Sequence, residues 1–277
     1  MYIDCHVHFW KLSRGDYGWL KPANTVLYQD YLPDQLLPEL QAFGVEGLVA
    51  VQAAPTAEEA AFMLELSQDW RVISAVSGGL DPFAERFHEE LTSLRSNPRF
   101  TGIRMNGSAF REERSETDLY KLRAALADMA QAGLTLDLLV QPDDLCTVAS
   151  YLEELPMLKA VVNHLGCPNV IAQRNEPWHT GMERLCQLPG TAVKLSGMIT
   201  MAGGLRPERL RPFVHRLIQL FGCDRLLFGS DWPVALQAGN YRDVIYLFEA
   251  VLPKELTEEE KGKIRAGNAR CFYPMAR

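Results

Sequence analysis

Apolar positions along this chain alternate between two patterns. Short apolar runs at residues 47–52, 72–77, 100–105, 134–140, 160–163, 192–195 and 226–229 are nearly continuous, as in strands covered on both faces. Between them, residues 33–43, 56–68, 83–95, 118–132, 145–155, 182–187, 207–221, 241–251 and 257–271 carry helical spacing, as in Leu119, Leu122, Leu126 and Met129. Gly44 and Gly133 stop two of these helices. Thr56 with Glu59, and Thr257 with Glu260, have the capping-box form. The opening stretch, residues 1–10, adds a first strand: Ile3, Cys5 and Val7 alternate with Asp4, His6 and His8. Eight strands alternating with helices predict parallel strands joined by helical crossovers, a single-domain (β/α)₈ barrel over residues 1–277. A doubly wound open sheet is the alternative, but no Gly-rich turn follows the first strand.

In such a barrel the chemistry sits at the C-terminal strand ends. Read in order, those ends carry His6 and His8, Gln52, Ser77, Arg104, Gln141, His164, Ser196 and Asp231. His6 and His8, two apart, project to one side and can share a metal ion or grip one water. Closure would set strand eight beside strand one, so Asp231 would face this pair, and His164 from strand six would reach the same mouth. A carboxylate there can accept a proton from water or bind a metal. His6, His8, His164 and Asp231 form a ligand set for one divalent ion, zinc or manganese. The long segment 11–31 carries Tyr17, Trp19, Tyr28 and Tyr31, which either wall a pocket or pack the loop onto the barrel.

Composition narrows the partners. A net charge of −7 with no basic run gives nucleic-acid binding no electrostatic support. Six scattered cysteines without Cys-x-x-Cys spacing read as reduced thiols of a cytoplasmic protein. No signal peptide and no run of membrane-spanning length is legible. A small molecule is the expected partner, with no nucleic acid and no membrane. A homo-oligomer stays open.

Three stretches carry a resemblance: Asp4-Cys5-His6-Val7-His8, Val162-Asn163-His164-Leu165-Gly166 and Leu227-Phe228-Gly229-Ser230-Asp231-Trp232-Pro233. They resemble the amidohydrolase superfamily, and more narrowly its amidohydrolase-related group with sugar-lactone and pyrone-lactone hydrolases. Supporting stretches include Val51-Gln52-Ala53, Val193-Lys194-Leu195-Ser196-Gly197 and Gly267-Asn268-Ala269. The resemblance implies that His6, His8, His164 and Asp231 line the catalytic centre, with Asp231 as the base that activates water. It also brings departures. Two-metal members place a bridging Lys or Glu at the end of strand four, where Arg104 stands here. Decarboxylase relatives usually offer a histidine at the end of strand five, where Gln141 stands. The expectation is at most one metal, and one that hydrolysis does not strictly require.

Arg104 suits other work: its guanidinium can hold an ester oxygen or stabilise an oxyanion. Lys194 could act similarly if it points inward, and Gln52 and Gln141 suit a hydroxyl-rich substrate. The reading is therefore a hydrolase opening a sugar-acid lactone such as a fucono-, rhamnono- or galactonolactone. Asp231, His164 and Arg104 are its catalytic residues; Gln52, Arg104, Gln141 and Lys194 its substrate contacts. A non-oxidative decarboxylase and a pyrone-dicarboxylate lactone hydrolase are the alternatives.

Overall fold

The computed structural model describes residues 1–111, 113–171 and 175–275. Eight parallel strands, β1 (Tyr2–Val7), β2 (Val45–Val51), β3 (Ile73–Gly78), β4 (Phe100–Asn106), β5 (Thr135–Leu139), β6 (Lys159–Val162), β7 (Thr191–Leu195) and β8 (Leu226–Phe228), pair in sequence order. The chain after β8 returns to β1. Val7 bridges to Trp232 in parallel, and the His8 N–H donates to the Trp232 carbonyl at 2.8 Å. The expected (β/α)₈ barrel is therefore the observed architecture. Asp4 reinforces this seam: one carboxylate oxygen accepts from the Ser230 N–H at 2.8 Å, the other from the Tyr241 hydroxyl at 3.0 Å.

Helices α1 (Pro33–Phe43), α2 (Ala57–Asp69), α3 (Phe87–Leu94), α4 (Glu116–Gln131), α5 (Leu145–Glu154), α6 (Glu176–Leu185), α7 (Met198–Ala202), α8 (Pro207–Phe221), α9 (Tyr241–Val251), α10 (Glu258–Gly262) and α11 (Asn268–Phe272) complete the fold. Three departures from the sequence pattern have local causes. α3 starts at Phe87 because the Asp81 side chain accepts from the Phe83 N–H and holds a turn there. α6 starts at Glu176, six residues before the helical spacing at 182, because Pro177 is tolerated in its first turn. The last helix is split by a π turn at Lys263–Gly267. No helix among the described residues is long and apolar enough to cross a membrane.

Inward-facing Ile3, Cys5, Val49, Val51, Ala75, Val161, Ala192 and Leu227 form one apolar cluster, closed from below by Ala269, Phe272 and Tyr273. Outward-facing strand residues join the helices in a second, larger cluster. β1 changes sides part-way along. Its pairing with β2 shifts register between Asp4 and Val7, so Cys5 packs inside while Val7 packs outside. Strict alternation from Cys5 would have turned His6 and His8 outward. The irregularity sends both imidazoles into the barrel mouth.

Candidate active site

The mouth holds a cavity of about 370 Å³ lined by His8, Trp19, Gln52, Ala53, Pro55, Arg104, Asn106, Leu139, His164, Asp231 and Val234. Asp231 is its centre. One carboxylate oxygen, Oδ1, lies 3.3 Å from His8 Nε2, 3.7 Å from His6 Nε2 and 4.0 Å from His164 Nε2. The strand ends thus bring together all four residues expected to form the ligand set. His6 is fully buried and outside the cavity lining.

Close approach requires small neighbours. A Cβ on Gly229 would lie 2.8 Å from the His6 Cβ, and one on Gly197 2.7 Å from His164 Nδ1. Both glycines of the sequence motifs therefore make room for an imidazole. His164 and Asp231 themselves sit at positive φ, 52° and 64°. That left-handed backbone costs on the order of 1 kcal/mol each for a residue with a Cβ, and it aims both side chains at one point.

The histidines are fixed from behind. His8 Nδ1 is 2.8 Å from the Val51 carbonyl, so it carries the proton and leaves the Nε2 lone pair facing Asp231. Ser196 Oγ accepts the His164 backbone N–H at 3.2 Å and is hydrogen-bonded to Nδ1 at 3.0 Å. His6 makes no hydrogen bond through either ring nitrogen among the described residues, although both are buried. Burial holds His6 well below its ordinary value, helped by the Lys194 ammonium, and lowers His164 to about 4. Burial pushes the Asp231 carboxyl up, but His164, His8 and Arg104 together outweigh it and hold it below the usual carboxylate range.

The His8 Nε2 lone pair facing the ionised Asp231 oxygen is unfavourable unless a cation lies between them. Ligands about 2.1 Å from a tetrahedral ion stand about 3.4 Å apart, close to the spacing seen here. His6, His8 and Asp231 offer ligand atoms all within 4.8 Å of one another. The donor set therefore fits one divalent ion.

Opposite this cluster, Arg104 Nη1 donates to the Gln52 carbonyl at 2.9 Å, while its buried Nε has no partner among the described residues. Gln52 lines the same cavity. Asn106, two residues after Arg104 on β4, also lines it; the period of two was the signal for it. Of the loop aromatics, Trp19 forms a cavity wall and its Nε1–H donates to the Ala53 carbonyl at 2.7 Å. Tyr17 and Tyr31 pack inside, and Tyr28 is exposed.

Two expected substrate contacts lie elsewhere. Lys194 points inward, but below the cavity, where its ammonium donates to Asp137 at 2.5 Å and has no exposed area. Gln141 is exposed and outside the cavity lining. β5 ends at Leu139, which lines the cavity, and the chain then turns outward through a short helical turn at Pro142–Asp144.

A family model described as Amidohydrolase matches residues 3–275. The chain belongs to the amidohydrolase family. Among its relatives is an L-fucono-1,5-lactonase of Burkholderia ambifaria, 32% identical over 99% of this chain and 96% of the relative. Another L-fucono-1,5-lactonase, from Burkholderia multivorans, is 33% identical over 98% and 95%. A solved amidohydrolase from Burkholderia multivorans with bound zinc superposes with a TM-score of 0.89 at 30% identity, covering 100% of both chains.

Proposed function

We propose that this amidohydrolase opens the ring of a sugar-acid lactone, a six-carbon aldonolactone of the fucono-, rhamnono- or galactono- type, to give the aldonate. The observation that carries this reading is full-length similarity to two lactonases, which meets a site of matching chemistry. An ionised carboxylate and a guanidinium line one cavity, with Gln52 and Asn106 available to hydroxyl groups. In this reading Asp231 takes a proton from water as the water oxygen attacks the lactone carbonyl carbon. Arg104 hydrogen-bonds the oxyanion that forms. Collapse breaks the bond to the ring oxygen, which receives the proton back, and the new carboxylic acid ionises. Gln52 holds the substrate, and His164 orients Asp231 and the water.

His6, His8, His164 and Asp231 would hold one ion, zinc or manganese by ligand type. Such an ion supplies Lewis-acid polarisation of the carbonyl. The lactone carbonyl is already electrophilic, so hydrolysis is expected to persist in part without it. The end of strand five presents Leu139 rather than a histidine, which does not favour a decarboxylase. All six thiols are free, which supports a reducing, cytoplasmic setting.

A screen of aldonolactones with a pH indicator tests the reading, because each ring opened releases one proton. Run with and without chelator, beside elemental analysis, it should show turnover of a six-carbon aldonolactone and at most one metal per chain. No turnover of any aldonolactone would refute the assignment. Two tightly bound metals, or complete loss restored only by added metal, would refute the single dispensable ion.

A further inference from the structure

Glu59 sits at the third position of α2, where the capping-box form predicts that its side chain returns to the Thr56 N–H. Only half of that box forms. Thr56 Oγ1 accepts from the Glu59 N–H at 3.1 Å, but the Thr56 N–H donates to the Ala54 carbonyl instead. The Glu59 side chain turns inward, is fully buried, and accepts the Ala53 N–H at 2.8 Å. Its other oxygen has no partner among the described residues. A buried carboxyl with one oxygen unsatisfied opposes folding, so its place calls for a reason.

The turn it grips supplies one. The Gln52 carbonyl accepts from Arg104 Nη1 at 2.9 Å, and the Ala53 carbonyl accepts from Trp19 Nε1 at 2.7 Å. Both donors line the cavity, Trp19 from the loop that follows β1 and Arg104 from β4, one before and one after the turn in sequence. The peptide groups of Gln52 and Ala53 thus connect one buried carboxyl to two side chains that face the substrate. Asp16 clamps the outer side: its carboxylate accepts from Arg14 at 2.5 Å and from Thr56 Oγ1 at 3.2 Å.

We propose that Glu59 is a positioning residue for lactone opening, fixing through the Ala53 N–H the turn whose two carbonyls aim Arg104 and Trp19 into the cavity. The proposal rests on the lactone reading for what Arg104 does there, and not for the geometry. Burial raises the Glu59 carboxyl to about 8, so at neutral pH it is largely protonated and glutamine is close to it in shape and charge.

The test is a double-mutant cycle on the full chain with its best aldonolactone. Glu59→Leu, which keeps bulk and removes the acceptor, should lower kcat/KM about tenfold or more through misplacement of Arg104. Glu59→Gln, which keeps an acceptor for the Ala53 N–H, should stay within about threefold of the wild type. In an Arg104→Met background, Glu59→Leu should cost less than about threefold, because the group it positions is gone. Equal losses in both backgrounds, or no loss in the wild type, overturn the proposal. If Glu59→Leu does not fold, Glu59→Asp, which withdraws the carboxyl by one methylene, takes its place in the same cycle. A second readout needs no substrate. The emission of Trp19, isolated as the difference between each protein and its Trp19→Phe counterpart, should shift in Glu59→Leu and not in Glu59→Gln. An unchanged Trp19 emission in Glu59→Leu overturns the turn as the link. If the wild type opens no lactone, the lactone reading fails, and the emission alone decides the role of Glu59.

Discussion

Asp231 acts within a setting that no residue nearby in sequence reveals. Three imidazole nitrogens converge within 4.0 Å of one of its oxygens, contributed by two other strand ends. Its carboxyl is held below the usual range, so a base is available across neutral pH. Asp231→Asn is expected to lower turnover by about a hundredfold or more, with little change in folding, since general base catalysis typically contributes 10²–10⁴. Near-normal turnover in steady-state kinetics would remove Asp231 from that role. Arg104 makes a separate prediction. Arg104→Met should lower kcat and weaken substrate binding, and Arg104→Lys should recover only part, because a lysine lacks the forked donors that bind Gln52 and an oxyanion together. Unchanged kinetics in either variant would return Arg104 to a packing role. The four residues clustered at Asp231, and Arg104, were legible because chemistry-bearing residues followed apolar runs. Gln141 and Lys194 show the limit of that logic: which strand-end residue is last to face inward depends on where pairing stops, and Lys194 has a buried partner 57 residues away.

At the scale of elements, the strand and helix pattern was legible almost throughout, because each strand is covered on both faces and each crossover helix buries one stripe. The β1 irregularity was not. It depends on pairing with β2, and the residues involved alternate correctly in sequence. The α2 N-terminus is a second case, since Thr56 and Glu59 fit a capping box that tertiary contacts override. Thr257 and Glu260, facing solvent, form the reciprocal box as written. The buried Glu59 gives α2 a pH signature. Its carboxyl rises from 4.5 to about 8 on folding, chiefly by burial; the Ala53 and Ala54 N–H groups and then Arg14 oppose the rise, and Asp16 adds to it. Between those values the unfolded chain has lost the proton and the folded chain keeps it. Stability contributed by this group is therefore full at low pH and falls as pH rises, by up to about 1.4 kcal/mol per unit. Glu59→Gln has no such proton, so its unfolding free energy should fall less between pH 5 and 8, by an amount on the order of a few kcal/mol. Parallel pH profiles from denaturant unfolding would show that Glu59 ionises in the folded protein as it does in the unfolded chain.

Across the whole molecule, the site is joined to the far end of the chain through the barrel interior. Tyr273, from the segment that closes the barrel floor, donates its hydroxyl to Asp137 at 2.8 Å. Asp137 pairs with Lys194, whose ammonium also lies 5.1 Å from the Tyr273 ring. Two residues beyond Asp137 on β5 is Leu139, in the cavity wall; two beyond Lys194 is Ser196, which holds His164. This layer is fully buried, so its charges are mutual solutions to each other's desolvation rather than a source of stability. The two kinds of substitution separate those roles. Asp137→Ala strands a buried ammonium and should cost about 3–5 kcal/mol. Asp137→Leu combined with Lys194→Met removes both charges at similar volume and should cost less, about 1–3 kcal/mol, because only the Tyr273 hydroxyl is left without its acceptor. Chemical unfolding of the single and the double variant measures both. A cost below about 1 kcal/mol for Asp137→Ala would mean that Lys194 finds water or another partner, contrary to the buried pair. The double variant also isolates the charge that Lys194 places beside His6. If its stability is retained, any loss of turnover belongs to that charge and to the support of His164 through β7, and not to a weakened barrel.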